Sequence, residues 1–507
     1  MTSQIARPTY SRLFGRIFLF NLILGTGALA LPRAFKEAGW LVTGVLLAVI
    51  AFMSYVPAIF IIETMAVCNA IRPGHELVSG EGREASEDEE LLPNSSMIRA
   101  EDFEISTKYE LGELFRNLVG RAWTLFFYVT ISLYIYGDLS IYAVAVSKSL
   151  RDVTCNVSAE TLNETDPCWS PSGISRTTVY KICLTIFACV LGPPFFCNVT
   201  KIRWLQASTI IARWVAVLLM SSIAIARIIE FPEVPRLRRH QMPAYMSLLG
   251  SPDRPHPPIA NFSNLPKAFG VCVYAFMCHH SLPGVITPID KKQRLFSSIM
   301  LPVYLLIYFC YLLLSGTGIT AFDYIHDLYT LNFVPSNDPT LRPGWLLLLL
   351  EYFLALYPAF ALSSNFPVLG TTLSNNLIAI FLALLPPGRM VSLVIRWCVP
   401  FLALIPPILI ALAVNDVGQL VSVTGAFGGI FIMYVFPVVL VFYARRALQA
   451  KFKSETPNDE SVVVDQRGRC TVNRYQSPFS HPIWPVVVTV WATSCLIFLI
   501  LNKLGVF

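Results

Sequence analysis

Long apolar runs separated by short polar punctuation dominate this chain, and eleven of them are long enough to cross a bilayer. They fall near 17–38, 41–67, 122–147, 178–197, 205–229, 267–290, 297–320, 345–372, 391–413, 417–443 and 483–502. About twenty apolar residues in a helix cover the hydrocarbon core, and a helix satisfies its own backbone polar groups there. The pattern predicts an all-α integral membrane protein with a cytosolic stretch at 1–16 and a ten-helix core over 17–443. A cytosolic loop at 444–482 and an eleventh helix with a short outer tail over 483–507 complete it. Composition sharpens this: 55% of the residues are hydrophobic and only 14% charged, too little charge to cover a soluble protein of this size. The first run is followed by Pro32 and a charged turn rather than a small-residue cleavage site, so it reads as a retained span.

Charge and glycosylation signals orient the spans. With the N-terminus in the cytosol, Lys201, Arg203, Lys291, Lys292, Arg294, Arg389, Arg445, Arg446, Lys451 and Lys453 all fall inside, as the positive-inside rule asks. The net charge of +6 therefore implies no nucleic-acid partner. The same choice puts the 148–178 loop outside, with sequons at Asn156 and Asn163, and also the sequon at Asn261. Cys155 and Cys168 share that outer loop, where a disulfide is chemically permitted; two free thiols are the alternative. Arg236, Arg238 and Arg239 in an outer loop, and a sequon at Asn94 in an inner one, run against this topology.

The 69–120 insertion is acidic, with six carboxylates between Glu81 and Glu90, and reads as a disordered cytosolic loop. It carries Glu87, Leu91 and Leu92 at the spacing of an acidic dileucine signal that sorting adaptors bind; an acidic linker that happens to end in two leucines reads equally well. Tyr10-Ser11-Arg12-Leu13 has a tyrosine-sorting pattern but sits close to the first span.

Two spans contain helix-weakening residues at mid-membrane. In the first, Gly25-Thr26-Gly27 precedes Pro32; each glycine costs a helix roughly 1 kcal/mol relative to alanine. In the sixth, Val273-Tyr274-Ala275-Phe276-Met277-Cys278-His279-His280 leads into Ser281-Leu282-Pro283-Gly284. Freed backbone groups in hydrocarbon are tolerated only where they line a cavity or meet a ligand. Freed amides suit a carboxylate and freed carbonyls a cation or an ammonium. Close helix packing by small residues is the competing explanation. Breaks in spans one and six fit two inverted five-helix halves.

Gly25-Thr26-Gly27-Ala28-Leu29-Ala30-Leu31-Pro32-Arg33-Ala34-Phe35, continuing to Ala38-Gly39-Trp40, resembles the opening signature of the amino acid/auxin permease family. Phe20-Asn21-Leu22-Ile23, Tyr136-Gly137-Asp138-Leu139, Phe269-Gly270-Val271-Cys272-Val273-Tyr274, His280-Ser281-Leu282-Pro283 and Asn365-Phe366-Pro367 resemble an orphan branch of it. The resemblance implies an eleven-span, five-plus-five inverted-repeat fold with broken helices 1 and 6, and proton- or sodium-coupled amino acid transport. It places Gly25, Thr26 and Gly27 at a substrate-carboxylate break and Asn21 at a cation site, with Ser363 or Ser364 as its eighth-span partner. Leu369-Gly370 departs from relatives that often carry an arginine there, which counts against sodium as the coupling ion.

Ionisable residues inside the spans add candidates. An aspartate at mid-membrane costs about 2.5–3.5 kcal/mol on insertion scales, so Asp138 needs a reason to be there. Asp138, His279 and His280 are candidates for coupling proton entry to substrate movement, against a structural role for each. Glu63, Arg213 and Glu351 read as structural, while Tyr274 and Phe276 are candidate walls of a side-chain pocket. No nucleophile elbow, metal-ligand spacing or phosphate loop is present, so neither an enzyme nor a bound cofactor or metal is expected beyond a coupling ion. The reading is an amino acid transporter in the plasma membrane or an endolysosomal membrane. A transporter-like sensor acting through the acidic loop is the alternative.

Overall fold

The computed structural model describes residues 10–71, 100–155, 164–169, 173–196, 203–230, 258–290, 292, 294–335, 344–385, 389–455 and 473–504. Among these, helices α1 (Arg12–Ile23) and α2 (Gly27–Ala38) form one span bent by 53° at a three-residue break. The chain then runs through α3 (Trp40–Ala70), the short α4 (Leu111–Leu118), α5 (Arg121–Thr154), α6 (Arg176–Leu191) and α7 (Arg203–Glu230). A second interrupted span follows as α8 (Leu265–Ala275) and α9 (Leu282–Ile286). Helices α10 (Leu301–Ala321), α11 (Trp345–Leu384), α12 (Arg389–Ala413), α13 (Val417–Thr424), α14 (Phe436–Glu455) and α15 (Ile483–Lys503) complete the bundle. Helix α13 reaches α14 through two π-helical turns, Gly425–Gly429 and Phe431–Val435, so these pieces make a single tenth span. Among the described residues nine helices are long and apolar enough to cross a membrane, the bent α1–α2 pair makes a tenth, and the interrupted α8–α9 stretch stands where the sequence places the sixth of eleven spans.

The two broken spans lie against each other, α2 beside α8 and α1 beside α9, while α5 and α11 form the most extensive helix pair. The two broken spans, one and six, stand five spans apart in the chain. The architecture is the five-plus-five transporter fold. Apolar lipid gives helices no hydrophobic reason to associate, so close packing through small residues has to do it. A Cβ on Gly425 would run into the Gly270 carbonyl, and one on Gly270 into the Ser422 backbone. Span ten therefore approaches span six at backbone contact, directly below Tyr274.

Both ends of the bundle are pinned. At the far end, away from where α1 begins, Lys148 of α5 bonds Asp327 at 2.7 Å, and Asp327 also accepts from the Val417 amide at 2.8 Å. Burial pushes the Asp327 carboxyl up, but Lys148, the Val417 amide and Arg33 hold it below its ordinary value. Burial likewise leads in pushing neighbouring His326 below its ordinary value. A disulfide joins Cys155 to Cys168 at this end, beside the Arg151–Asp152–Arg176 ion-pair cluster. Asn261 is here too, its amide on the Ala38 carbonyl at 2.8 Å. Asn156 and Asn163 lie outside the described residues, as do Glu87, Leu91, Leu92 and Asn94.

The expectation of a disordered segment through 120 fails from residue 100 onward. Phe103, Ile105, Leu114 and Phe115 are fully buried, and α4 starts with a reciprocal Glu110–Glu113 capping box. The acidic composition hid an apolar face that α3, α5 and α14 cover. The 444–482 loop is likewise shorter than expected. Helix α14 continues to Glu455, and 473–482 is fastened by Arg445, which grips buried Glu63 through Nε at 2.7 Å and Nη2 at 2.9 Å and donates to the Ser480 carbonyl. Glu351 pairs with Arg227 at 3.3 Å. Helix α5 overruns its expected end at 147 because Lys148, Arg151 and Asp152 find partners in the bundle. Helix α11 runs on past 372 to Leu384.

Candidate functional site

The first break begins where the Gly25 amide leaves its helical partner, the Asn21 carbonyl, and turns to the Ile23 carbonyl at 2.8 Å. Helical bonding resumes with Ala28 and Leu29, on the carbonyls of Gly25 and Thr26. The amino end of α2 thus faces the carboxyl end of α1, presenting a positive dipole end beside a negative one. The two glycines do different things. A Cβ on Gly27 would stand 2.7 Å from the Ala275 Cα, so this position is what lets the two breaks touch. Gly25 is exposed, and a Cβ there would meet only the Ile23 carbonyl, at 3.9 Å.

A line of side chains runs from this break into the bundle. The Tyr274 hydroxyl, at the end of α8, donates to Asp138 Oδ1 of α5 at 2.6 Å and lies 3.0 Å from Thr26 Oγ1. With the tyrosine proton directed at the carboxylate, Thr26 is the donor of the second bond. All three residues are buried, Asp138 at 5% exposure. Tyr134 stands one helical turn before Asp138, and its ring lies 5.4 Å from that of His280. The structure therefore brings together Thr26, Tyr274 and Asp138, which stand far apart in sequence, with His280 at the edge.

The sixth-span break is braced from α3. Ser54 Oγ donates to the Phe276 carbonyl at 3.2 Å, and the Ser54 carbonyl lies 3.0 Å from Nε2 of His279. His279 is thus turned toward the Ser54 backbone. Phe276 is fully buried, its ring packed against Tyr304 and Tyr311. The Tyr311 hydroxyl sits between the two breaks, 3.2 Å from the Ile23 carbonyl and 2.8 Å from the Ala275 carbonyl. Asn21 and Ser364 bond carbonyls of their own helices, Ile17 at 2.8 Å and Ala361 at 2.9 Å; Ser363 is partly buried one residue earlier. Sequence reasoning missed Ser54, Tyr134 and Tyr311. The recurring signal, a polar side chain on an otherwise apolar span, was present for all three.

Ion pairs close the far side of the site. Arg33 of α2 bonds Glu37 at 2.6 Å and reaches Asp416, the α13 cap, at 3.3 Å, while Lys267 of α8 bonds Glu37 at 3.0 Å. At the opposite end, the Tyr10 hydroxyl donates to the Val285 carbonyl at 2.8 Å and Arg16 Nε to the Ser298 carbonyl at 2.9 Å. Each half of the first span is tied to its neighbours by polar contacts that a rigid-body motion could break and remake.

A bundle of membrane-length apolar helices, with two breaks meeting around a buried carboxyl and polar closures at both ends, defines a membrane transporter. The chain belongs to the transmembrane amino acid transporter protein family, whose model matches residues 10–458. It is 37% identical to the Transmembrane protein 104 homolog of Drosophila melanogaster, over 98% of each chain. It is also 37% identical to Transmembrane protein 104 of Mus musculus, over 96% of this chain and 95% of that one. A crystal structure of a mutant manganese transporter from Eremococcus coleocola overlaps 97% of this chain and 94% of that one, at 12% identity and a TM-score of 0.45.

Proposed function

We propose that this transporter moves amino acids by alternating access around the paired breaks, coupled to protons. The observation that carries the reading is the Thr26–Tyr274–Asp138 line, which connects both breaks to one buried carboxyl. The amino end of α2 at Gly25–Gly27 suits a carboxylate. The carboxyl end of α8 suits an ammonium, which makes a zwitterion the ligand class that satisfies both. Gly25 is the accessible point of that cradle.

The coupling follows from hydrogen-bond polarity. An ionised Asp138 can only accept, so Tyr274 donates to it and Thr26 donates to Tyr274. A protonated Asp138 can donate to Tyr274, which then turns its own proton toward Thr26. Protonation is thereby relayed to the substrate break as a reversed hydroxyl, with no backbone motion needed to carry the signal. Opening to the far side breaks the Arg33–Asp416 contact, and opening to the other side releases Tyr10 and Arg16. Asp138→Asn tests this in reconstituted protein. The substituted amide cannot titrate, so accumulation driven by a proton gradient is expected to be lost while substrate-for-substrate exchange persists. Proton-driven accumulation at the unsubstituted rate would remove Asp138 from the mechanism.

A further inference from the structure

The first break leaves one carbonyl without its helical amide. Asn21 should accept from Gly25, but the Gly25 amide is on Ile23 instead. The Asn21 carbonyl accepts from Nη1 of Arg213, a guanidinium that projects from the middle of α7. Next to it, the Trp214 ring stacks on Phe20 at 3.9 Å between centroids and 16° between planes, which fixes α7 against the end of α1. Among the described residues no carboxylate forms an ion pair with Arg213. Its counter-charge is the carboxyl end of a helix, worth about half a negative charge. Asn21 adds a buried side-chain oxygen, Oδ1, that has no hydrogen-bond partner among the described residues.

A freed carbonyl, a helix carboxyl end and an unpartnered amide oxygen are the donor set that a small monovalent cation takes at a helix break. Here a side-chain cation already stands on that carbonyl. We infer that Arg213 is a tethered cation occupying the ion position of the first break, so that this position takes no exchangeable sodium ion. Tethered to α7, this charge holds α1 to α7 through the cycle without being transported. The inference deepens the transport reading and rests on it only in naming the consequence: ion coupling falls to the Asp138 line.

Thermal unfolding of the purified full-length protein tests it without measuring flux. Melting is compared in sodium chloride and in choline chloride at equal ionic strength. The unsubstituted protein is expected to melt at the same temperature in both. Arg213→Ala vacates the position and is expected to gain a saturable, sodium-specific rise of roughly 2–5 °C, whereas Arg213→Lys keeps a tethered cation and stays indifferent. If Arg213→Ala is too unstable to purify in choline, sodium is expected to rescue it. Saturable sodium stabilisation of the unsubstituted protein overturns the inference, and so does the absence of any sodium response or rescue in Arg213→Ala. Failure of amino acid transport leaves these melting results untouched, so the two readings fail separately.

Discussion

Replacing Gly27 with alanine places one methyl group where α2 meets α8. Its Cβ would lie 2.7 Å from the Ala275 Cα, 3.0 Å from the Ala275 amide nitrogen and 3.0 Å from Tyr274 Cδ1. Carbon atoms settle about 3.5–4.0 Å apart, and two of these three neighbours are backbone, so the half-helices must separate by roughly 1 Å. Separation on that scale stretches the 3.0 Å Thr26–Tyr274 contact beyond hydrogen-bond range. Overpacking of this kind costs about 1–3 kcal/mol, and the lost bond adds about 0.5–1.5 kcal/mol. Gly27→Ala is therefore expected to lower the melting temperature by several degrees and to uncouple the break from Asp138. Gly25→Ala supplies the contrast, because its Cβ meets nothing closer than 3.9 Å. It should melt like the unsubstituted protein and lose substrate affinity, since the methyl occupies the accessible side of the carboxylate cradle. Purified protein, melted with and without an amino acid panel, gives both readouts. Unchanged melting in Gly27→Ala together with a large loss in Gly25→Ala would refute the packing argument.

Other substitutions probe separate parts of the account. Tyr274→Phe keeps the ring but removes the hydroxyl between Thr26 and Asp138, and is expected to blunt the pH dependence of uptake while substrate still binds. Arg445→Gln leaves the Glu63 carboxylate buried without its guanidinium and should cost about 3–5 kcal/mol; adding Glu63→Gln should recover part of that, which a double-mutant cycle on melting would measure. At the far end, Asp327 and His326 both sit below their ordinary values of 3.8 and 6.5. For both, the unfolded chain binds more protons, so stability falls on acidification. The loss linked to His326 begins as pH drops below about 6.5, and that linked to Asp327 only below about pH 4. His326→Gln is expected to flatten the melting-versus-pH curve between these limits and leave the more acidic fall intact.

The sequence made the spans legible because each needs its own run of apolar residues, and it made the breaks legible because glycine and proline mark them locally. Gly25-Thr26-Gly27 and Pro283-Gly284 flagged the two interruptions without any tertiary knowledge. What those breaks contact was not legible. Asp138 stood out by its cost in a membrane, yet its partner Tyr274 lies 136 residues away and Thr26 a further 112, and only the crossing of spans one, three and six brings them together. Gly270 and Gly425 resemble any other glycines until the register of spans six and ten is known. His279 was a reasonable proton carrier by chemistry, but its ring is turned to the Ser54 backbone. Arg213 read as structural because one chain cannot show that the Asn21 carbonyl opposite it has lost its amide. Residues 100–120 misled for a compositional reason: Glu101, Asp102 and Glu104 alternate with Phe103 and Ile105, and the average over the segment conceals the buried face.

Uptake of a labelled amino acid panel into proteoliposomes, with and without an imposed proton gradient and in parallel with a sodium gradient, tests the central claim most directly. The account predicts that at least one amino acid accumulates when a proton gradient is imposed, and that a sodium gradient alone drives none. Folded protein that accumulates no member of the panel under either gradient, or that accumulates one only with sodium, would contradict it.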